Sequence, residues 1–282
     1  MHSFGGLIAL KILSIYFSAT GNTAKIAKVL KEQLKALDVE VNEYDITSYS
    51  DRLKHLDLTP YDAVIFGFPV YANKAPRVVR EWLTTLNGMG KKCSMFFTYG
   101  GVFVNRVHSS TRQILERQNF EVVSSAEFLG AHSFNVAGWN LIKTRPNDSD
   151  FMIAREYAAR TYKRFKGEDP NSFDLFKSLP ETESQPKSTS KSKSPGFRHY
   201  PTRGGQECSM CRTCENLCPS GAMNADTGTV NRDLCMLCFR CITNCPDQVL
   251  QIEDLRSIWQ NISAKTGLTE EIIEKKVSKI YL

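Results

Sequence analysis

The stretch KILSIYFSATGNTAKIAKVL, residues 11–30, passes from a short apolar run through a small, hydroxyl-rich loop into an amphipathic helical pattern. A strand, a tight loop and a helix start in that order form a ready anion site, because the first backbone N–H groups of a helix lack intrahelical partners and its dipole favours negative charge there. Hydroxyls at Ser18, Thr20 and Thr23 add donors. The loop lacks the lysine of a nucleotide-triphosphate loop and the three spaced glycines of a dinucleotide fingerprint, so a phosphomonoester is the better match.

Outward from this stretch, further strands are expected at 39–45, 62–68, 92–98 and 120–128, with helices at 24–37, 76–86, 107–117 and 150–165. Strands alternating with helices predict an α/β fold, a doubly wound five-stranded parallel sheet covered on both faces. Ligands of such sheets sit beyond the carboxyl ends of the strands, where strand order reverses. The unusual loops fall there: Phe68-Pro69-Val70-Tyr71-Ala72 after the third strand, and Tyr99-Gly100-Gly101-Val102-Phe103 after the fourth. A receiver domain of related topology would need acidic residues at the first strand end and an aspartate after the third. The chain has hydroxyls at one and GFPVY at the other.

With these three loops in order, residues 10–165 resemble the flavodoxin family. The resemblance implies an FMN cofactor, its phosphate held by Ser18, Thr20, Gly21, Asn22 and Thr23. Its ring would be lined by Pro69, Val70, Tyr71, Ala72, Tyr99, Gly100, Gly101 and Phe103, with Tyr71 and Phe103 as stacking candidates. The connection 130–150 is long for this fold and carries His132, Phe134 and Trp139, which are placed to close over a ring or to pack elsewhere. His108 is expected at a helix start on the surface, and Cys93 as a small buried hydrophobe in a strand.

Eight of the nine cysteines form two copies of one pattern, Cys208-x-x-Cys211-x-x-Cys214-x-x-x-Cys218-Pro219 and Cys235-x-x-Cys238-x-x-Cys241-x-x-x-Cys245-Pro246, each residue of the second copy 27 positions after its counterpart. The fixed offset marks an internal duplication. A four-iron cubane needs one thiolate per iron, and three closely spaced cysteines wrap one side of it. Zinc ribbons use two pairs per metal and need neither the middle cysteine nor the proline. Persistent disulfides belong to oxidising compartments, and the chain shows no secretory signal.

Residues 204–253 resemble the bacterial two-cluster ferredoxins, which implies a small α+β domain with two [4Fe–4S] clusters. In that pattern the fourth cysteine of each run serves the other cluster. Cys208, Cys211 and Cys214 would join Cys245, and Cys235, Cys238 and Cys241 would join Cys218. Ferredoxins often have glycine after the second cysteine of a run; here Arg212 and Phe239 stand there.

These readings divide the chain into a flavodoxin-like domain over 1–170, a Ser-, Lys- and Pro-rich linker over 171–203, the cysteine module over 204–253 and a helical tail over 254–282. In the tail, Ile272, Ile273, Val277 and Ile280 form an expected helical stripe opened by Thr269 as N-cap. The apolar N-terminus lacks a basic leader and reads as an extension of the first strand, no run approaches the length of a membrane span, and a cytoplasmic location is expected. Residues 204–255 carry three basic and seven acidic side chains, net −4, within a chain of net +6 whose first 203 residues hold +8. Opposite charge on the two halves predicts that they dock on one another. Scattered basic residues give no nucleic-acid footprint.

The whole arrangement resembles flavodoxin–ferredoxin fusion proteins, known mainly from anaerobic bacteria and archaea. That resemblance implies electron transfer between FMN and two clusters, with redox partner proteins as donor and acceptor. An FMN-dependent oxidoreductase reducing a small quinone or nitro acceptor, and a ferredoxin-type carrier with a vestigial first domain, are the alternatives.

Overall fold

The computed structural model describes residues 10–169 and 199–282; the expected strand extension over 1–9 and most of the linker lie outside them. Five parallel strands run in the order expected, β1 (Lys11–Tyr16), β2 (Glu40–Asp45), β3 (Ala63–Pro69), β4 (Lys92–Tyr99) and β5 (Glu121–Leu129). They are covered by α1 (Asn22–Lys35), α2 (Arg77–Leu83), α3 (Asn105–Arg117) and α4 (Asp148–Phe165). Between β2 and β3 the chain makes only a 3₁₀ turn at Asp51–Leu53. The two core layers follow the side-chain alternation of buried strands. Leu13, Phe66, Met95 and Phe97 pack towards α2 and α3, while Ile12, Ile65, Phe96 and Phe128 pack towards α1 and α4.

The sheet has six strands, not five. Its order is β2-β1-β3-β4-β5-β8, and β8 (Lys279–Tyr281) runs antiparallel to β5, pairing Ala126 with Ile280. The tail therefore does not finish as a helix. After α7 (Arg256–Thr266) it makes the short α8 (Glu270–Glu274), capped as expected by the Thr269 hydroxyl, then extends onto the sheet edge. The expected apolar stripe is split: Ile273 is fully buried, Ile280 is half-buried on the sheet, and Ile272 and Val277 face solvent.

His108 also departs from expectation. It is fully buried, its Nδ1 2.7 Å from Ser125 Oγ and its Nε2 3.2 Å from Glu127 Oε2. The Tyr281 hydroxyl of β8 donates to the same Glu127 oxygen at 2.9 Å. Cys93 is buried in β4 as expected.

In the cysteine module each run ends in one helical turn, α5 (Thr213–Asn216) and α6 (Arg240–Thr243), and β6 (Met223–Asn224) pairs with β7 (Thr229–Val230) around the expected turn. The duplication extends to the backbone. Met210 and Leu237 have φ of 59° and 58°, and Arg212 and Phe239 have 57° and 58°. These left-handed conformations explain why glycine suits the position after the second cysteine: a side chain there costs about 1–2 kcal/mol.

Candidate functional site

A cavity of about 390 Å³ opens at the carboxyl ends of β3, β4 and β5, beside the start of α1. Of the residues expected to bind a cofactor, Thr20, Asn22, Pro69, Val70, Tyr71, Ala72, Tyr99, Gly100 and Phe103 line it. Ser18, Gly21, Thr23 and Gly101 lie behind this wall and shape it. Gly21 is the N-cap of α1 at φ 89° and offers no side-chain acceptor. The Ser18 hydroxyl instead accepts from Ala24 N–H at 3.0 Å, and Thr23 Oγ1 is paired with Thr98 Oγ1 at 2.7 Å across to β4. Two of the three hydroxyls thus hold the loop in shape, while Thr20 stays exposed in the cavity.

The loop after β3 is a two-residue hairpin. Tyr71 and Lys74 exchange both backbone hydrogen bonds, and Ala72 and Asn73 take φ of 48° and 64° between them. Left-handed conformations at non-glycine residues are strained and persist where the surroundings fix them. The loop after β4 turns at Gly101, φ 79°, where an added Cβ would lie 2.3 Å from Ile273 Cγ2. Its carbonyl accepts from Lys276 Nζ at 2.6 Å. Both loops are therefore braced from outside the sheet.

The long 130–150 connection does two jobs at once. His132, Phe134 and Trp139 line the cavity, and the same aromatics carry the seam with the rest of the chain. Phe134 meets Phe239 at 5.1 Å between centroids and Trp139 meets Trp259 at 5.5 Å. Trp139 Nε1 donates to Leu255 O at 2.8 Å. Burial lowers the His132 pKa to about 4, so the imidazole is neutral, with Nδ1 accepting from Phe134 N–H.

The far wall comes from the cysteine module and the tail, through Met236, Leu237 and Ile262. Nothing in the sequence around Met236 and Leu237 marks what they face; their packing follows from how the two halves dock. Arg240 Nη1 donates to the carbonyls of Ser18 and Ala19, at 3.1 and 3.0 Å. Arg77 donates to Asp233 O at 3.0 Å, and Arg52 donates to Pro219 O. Among the described residues no ion pair crosses between 10–169 and 204–255, so the contact rests on arginine-to-carbonyl bonds and apolar packing beneath the overall charge complementarity. Tyr71 bridges cavity and module: burial pushes its phenol well up, the Cys238 thiol and the Arg240 guanidinium are its neighbours, and its hydroxyl is buried without a partner among the described residues.

All eight cysteines of the module are free thiols. Cys208, Cys211, Cys214 and Cys245 together line a small cavity. Burial pushes the Cys238 thiol up to about 12, with Cys218 and Cys235 close enough to reinforce the shift, and Cys241 is raised by burial and by Cys238, Cys218 and Cys235. Two sets of four result, each taking its fourth cysteine from the other run. Among the described residues no group of three or more His, Cys, Asp or Glu converges tightly enough to hold a single metal ion. No helix among the described residues is long and apolar enough to cross a membrane.

The flavodoxin domain family model matches residues 13–131. The first part of this chain is a flavodoxin-like domain. A search of curated proteins finds no match. Among solved structures, flavodoxin 2 from Bacillus cereus is similar at 22% identity over 55% of this chain and 99% of that one, with a TM-score of 0.44. A flavodoxin from the domain Archaea is similar at 16% identity over 56% and 99%, TM-score 0.41. The rubredoxin oxygen:oxidoreductase of Desulfovibrio gigas is similar at 17% identity over 56% of this chain and 36% of that one, TM-score 0.43.

Proposed function

We propose that this chain is a cytoplasmic electron-transfer flavoprotein holding FMN in its flavodoxin-like domain and two [4Fe–4S] clusters in a ferredoxin-like module. The observation that carries the reading is the shared wall: the cavity at the flavodoxin-like strand ends is completed by Met236 and Leu237, the two residues between Cys235 and Cys238. FMN exchanges electrons in pairs or singly and each cluster passes one, which is the chemistry these groups supply when bound.

The residues present fit both groups. For FMN, the uncapped start of α1 with Thr20 and Asn22 would take the phosphate, and an apolar slot between the 69–73 and 99–103 loops would take the ring. Tyr71 and Phe103 are the ring-facing aromatics of those loops. For the clusters, the sequence supplies one thiol for every iron, and Cys208, Cys211, Cys214 and Cys245 come together around one small cavity. Cys208, Cys211, Cys214 and Cys245 would hold one cluster, and Cys218, Cys235, Cys238 and Cys241 the other.

A second reading, reduction of a small acceptor at the flavin, draws on His132, Phe134 and Trp139 in the cavity wall. Saturable turnover of a quinone or nitro compound would mark that reading. The primary test is anaerobic purification with iron, sulfide and flavin analysis: about eight irons and one FMN per chain are expected from two four-iron clusters. Zinc in place of iron, or a chain that does not retain FMN, overturns it.

A further inference from the structure

The two copies of the cysteine run are equivalent in backbone and opposite in surroundings. In the second copy, Met236 and Leu237 form cavity wall and Phe239 is 1% exposed against Phe134. Their counterparts 27 positions earlier, Ser209, Met210 and Arg212, are exposed, and so is Cys211. The cavity side is meanwhile covered by this chain's own parts, with Ile262 of α7 in its wall and Lys276 tied to the Gly101 carbonyl.

We infer that the chain is a linear relay with one protein-facing port: FMN meets only the cluster of Cys218, Cys235, Cys238 and Cys241, and an external one-electron carrier protein with a basic face docks over Met210 and Cys211. The inference rests on the proposed cofactor content. Electron tunnelling falls steeply with distance, so the cluster whose ligands flank Met236 and Leu237 is the flavin's neighbour, and Tyr71, between cavity and Cys238, fills the gap. Of the eight thiols only Cys211, in the first-run set, is exposed, whereas Cys238 and Cys241 of the other set are buried. The sign of the partner follows from the port's charge: three exposed carboxylates, Glu207, Asp226 and Asp247, and the half-buried Glu215 stand around two guanidinia, Arg203 and Arg212. Arg212 is already paired with Glu215 and Asp226, and Arg203 is turned onto the carbonyls of Ala225 and Asp226. Carboxylates left over at the rim steer a cationic partner into place. At the port the first-run thiols would hold a cluster able to supply one electron to the carrier's metal centre, with no proton or bond exchanged.

Cytochrome c, a basic one-electron haem protein, serves as the probe. Reduced holoprotein is mixed with ferricytochrome c in a stopped-flow instrument, and binding to the oxidised holoprotein is measured by calorimetry at low salt. The double variant Glu207→Lys, Met210→Lys should lose at least tenfold in both second-order rate and affinity, and its rate should lose the salt dependence of the native chain. Ile272→Lys, on the exposed face of α8 and outside the cavity wall, should leave both near native. Native behaviour of the double variant, or a tenfold loss in Ile272→Lys, overturns the port assignment. A Cys211→Ala chain retaining FMN and about four irons should lose fast cytochrome reduction; fast reduction in that chain overturns the linear order. A chain that carries neither iron nor FMN fails the proposed function itself, whereas a loaded chain indifferent to these substitutions fails only the relay.

Discussion

Replacing Phe239 and Arg212 by glycine asks the duplicated module what its two copies are for. The positions share a backbone, φ 58° and 57°, so glycine relieves the same left-handed strain at both. At Phe239 it also removes a ring that is 1% exposed and packed on Phe134. Deleting a fully buried phenylalanine costs about 3–5 kcal/mol. Relief of the left-handed conformation returns about 1–2 kcal/mol, and the freer unfolded chain takes back about 0.5–1 kcal/mol. The net expectation for Phe239→Gly is a loss of about 2–5 kcal/mol, located at the seam. Arg212→Gly gives up only exposed ion pairs with Glu215 and Asp226 while gaining the same relief, so stability holds or rises. The Trp139–Trp259 pair, 5.5 Å apart across the seam, is the reporter. Its near-ultraviolet circular dichroism and fluorescence, followed through anaerobic urea titration, should weaken at lower urea in Phe239→Gly and stay put or move higher in Arg212→Gly. Equal midpoints for the two variants would refute the claim that the second copy, through Phe239, carries the apolar seam with the flavodoxin-like domain.

Gly101→Ala should weaken FMN binding at least tenfold, measured by flavin fluorescence titration, because a Cβ there combines φ 79° with a 2.3 Å approach to Ile273. Tyr281→Phe leaves the buried Glu127 carboxylate one donor short and should cost about 1–3 kcal/mol in urea unfolding; an unchanged midpoint would show that its remaining partners, His108 and Tyr99, satisfy it. His132 supplies a pH signature. Its folded pKa is lowered to about 4 from 6.5 by burial, so between those values the unfolded chain binds the extra proton. Stability is full above pH 6.5 and falls by up to about 3 kcal/mol as pH drops towards 4, and His132→Gln should flatten that slope. Stripping iron with an oxidant and chelator should loosen the module while the flavodoxin-like core persists, seen as protease cleavage confined to 204–253.

What was legible in the sequence was what is local. The five parallel strands, the loop at 18–23 and the two cysteine runs each declare themselves within a few residues, through apolar runs, hydroxyls and glycine, and fixed spacing. The sixth strand does not, since Lys279–Tyr281 is three residues long and becomes a strand only by pairing with β5. His108 was misplaced because its partners Ser125, Glu127 and Tyr281 arrive from β5 and β8. One signal was available: on α3 it shares the helical face of Thr111 and Leu115, both fully buried. The cavity was half legible. Its strand-end loops were found, but the wall at Met236, Leu237 and Ile262 depends on docking between segments more than a hundred residues apart.

The strand at Lys279–Tyr281 also sets an order of events during synthesis. As the chain emerges from its N-terminus, β5 is finished long before β8 exists, and it waits as an unpaired edge, the kind of surface on which chains stick to one another. The residues that will cover it come after all eight module cysteines. Because β8 is tethered to the module through α7 and α8, a module that fails to load the proposed clusters would leave the edge open for longer. On that proposal, iron starvation is expected to show first as aggregation of the flavodoxin-like half.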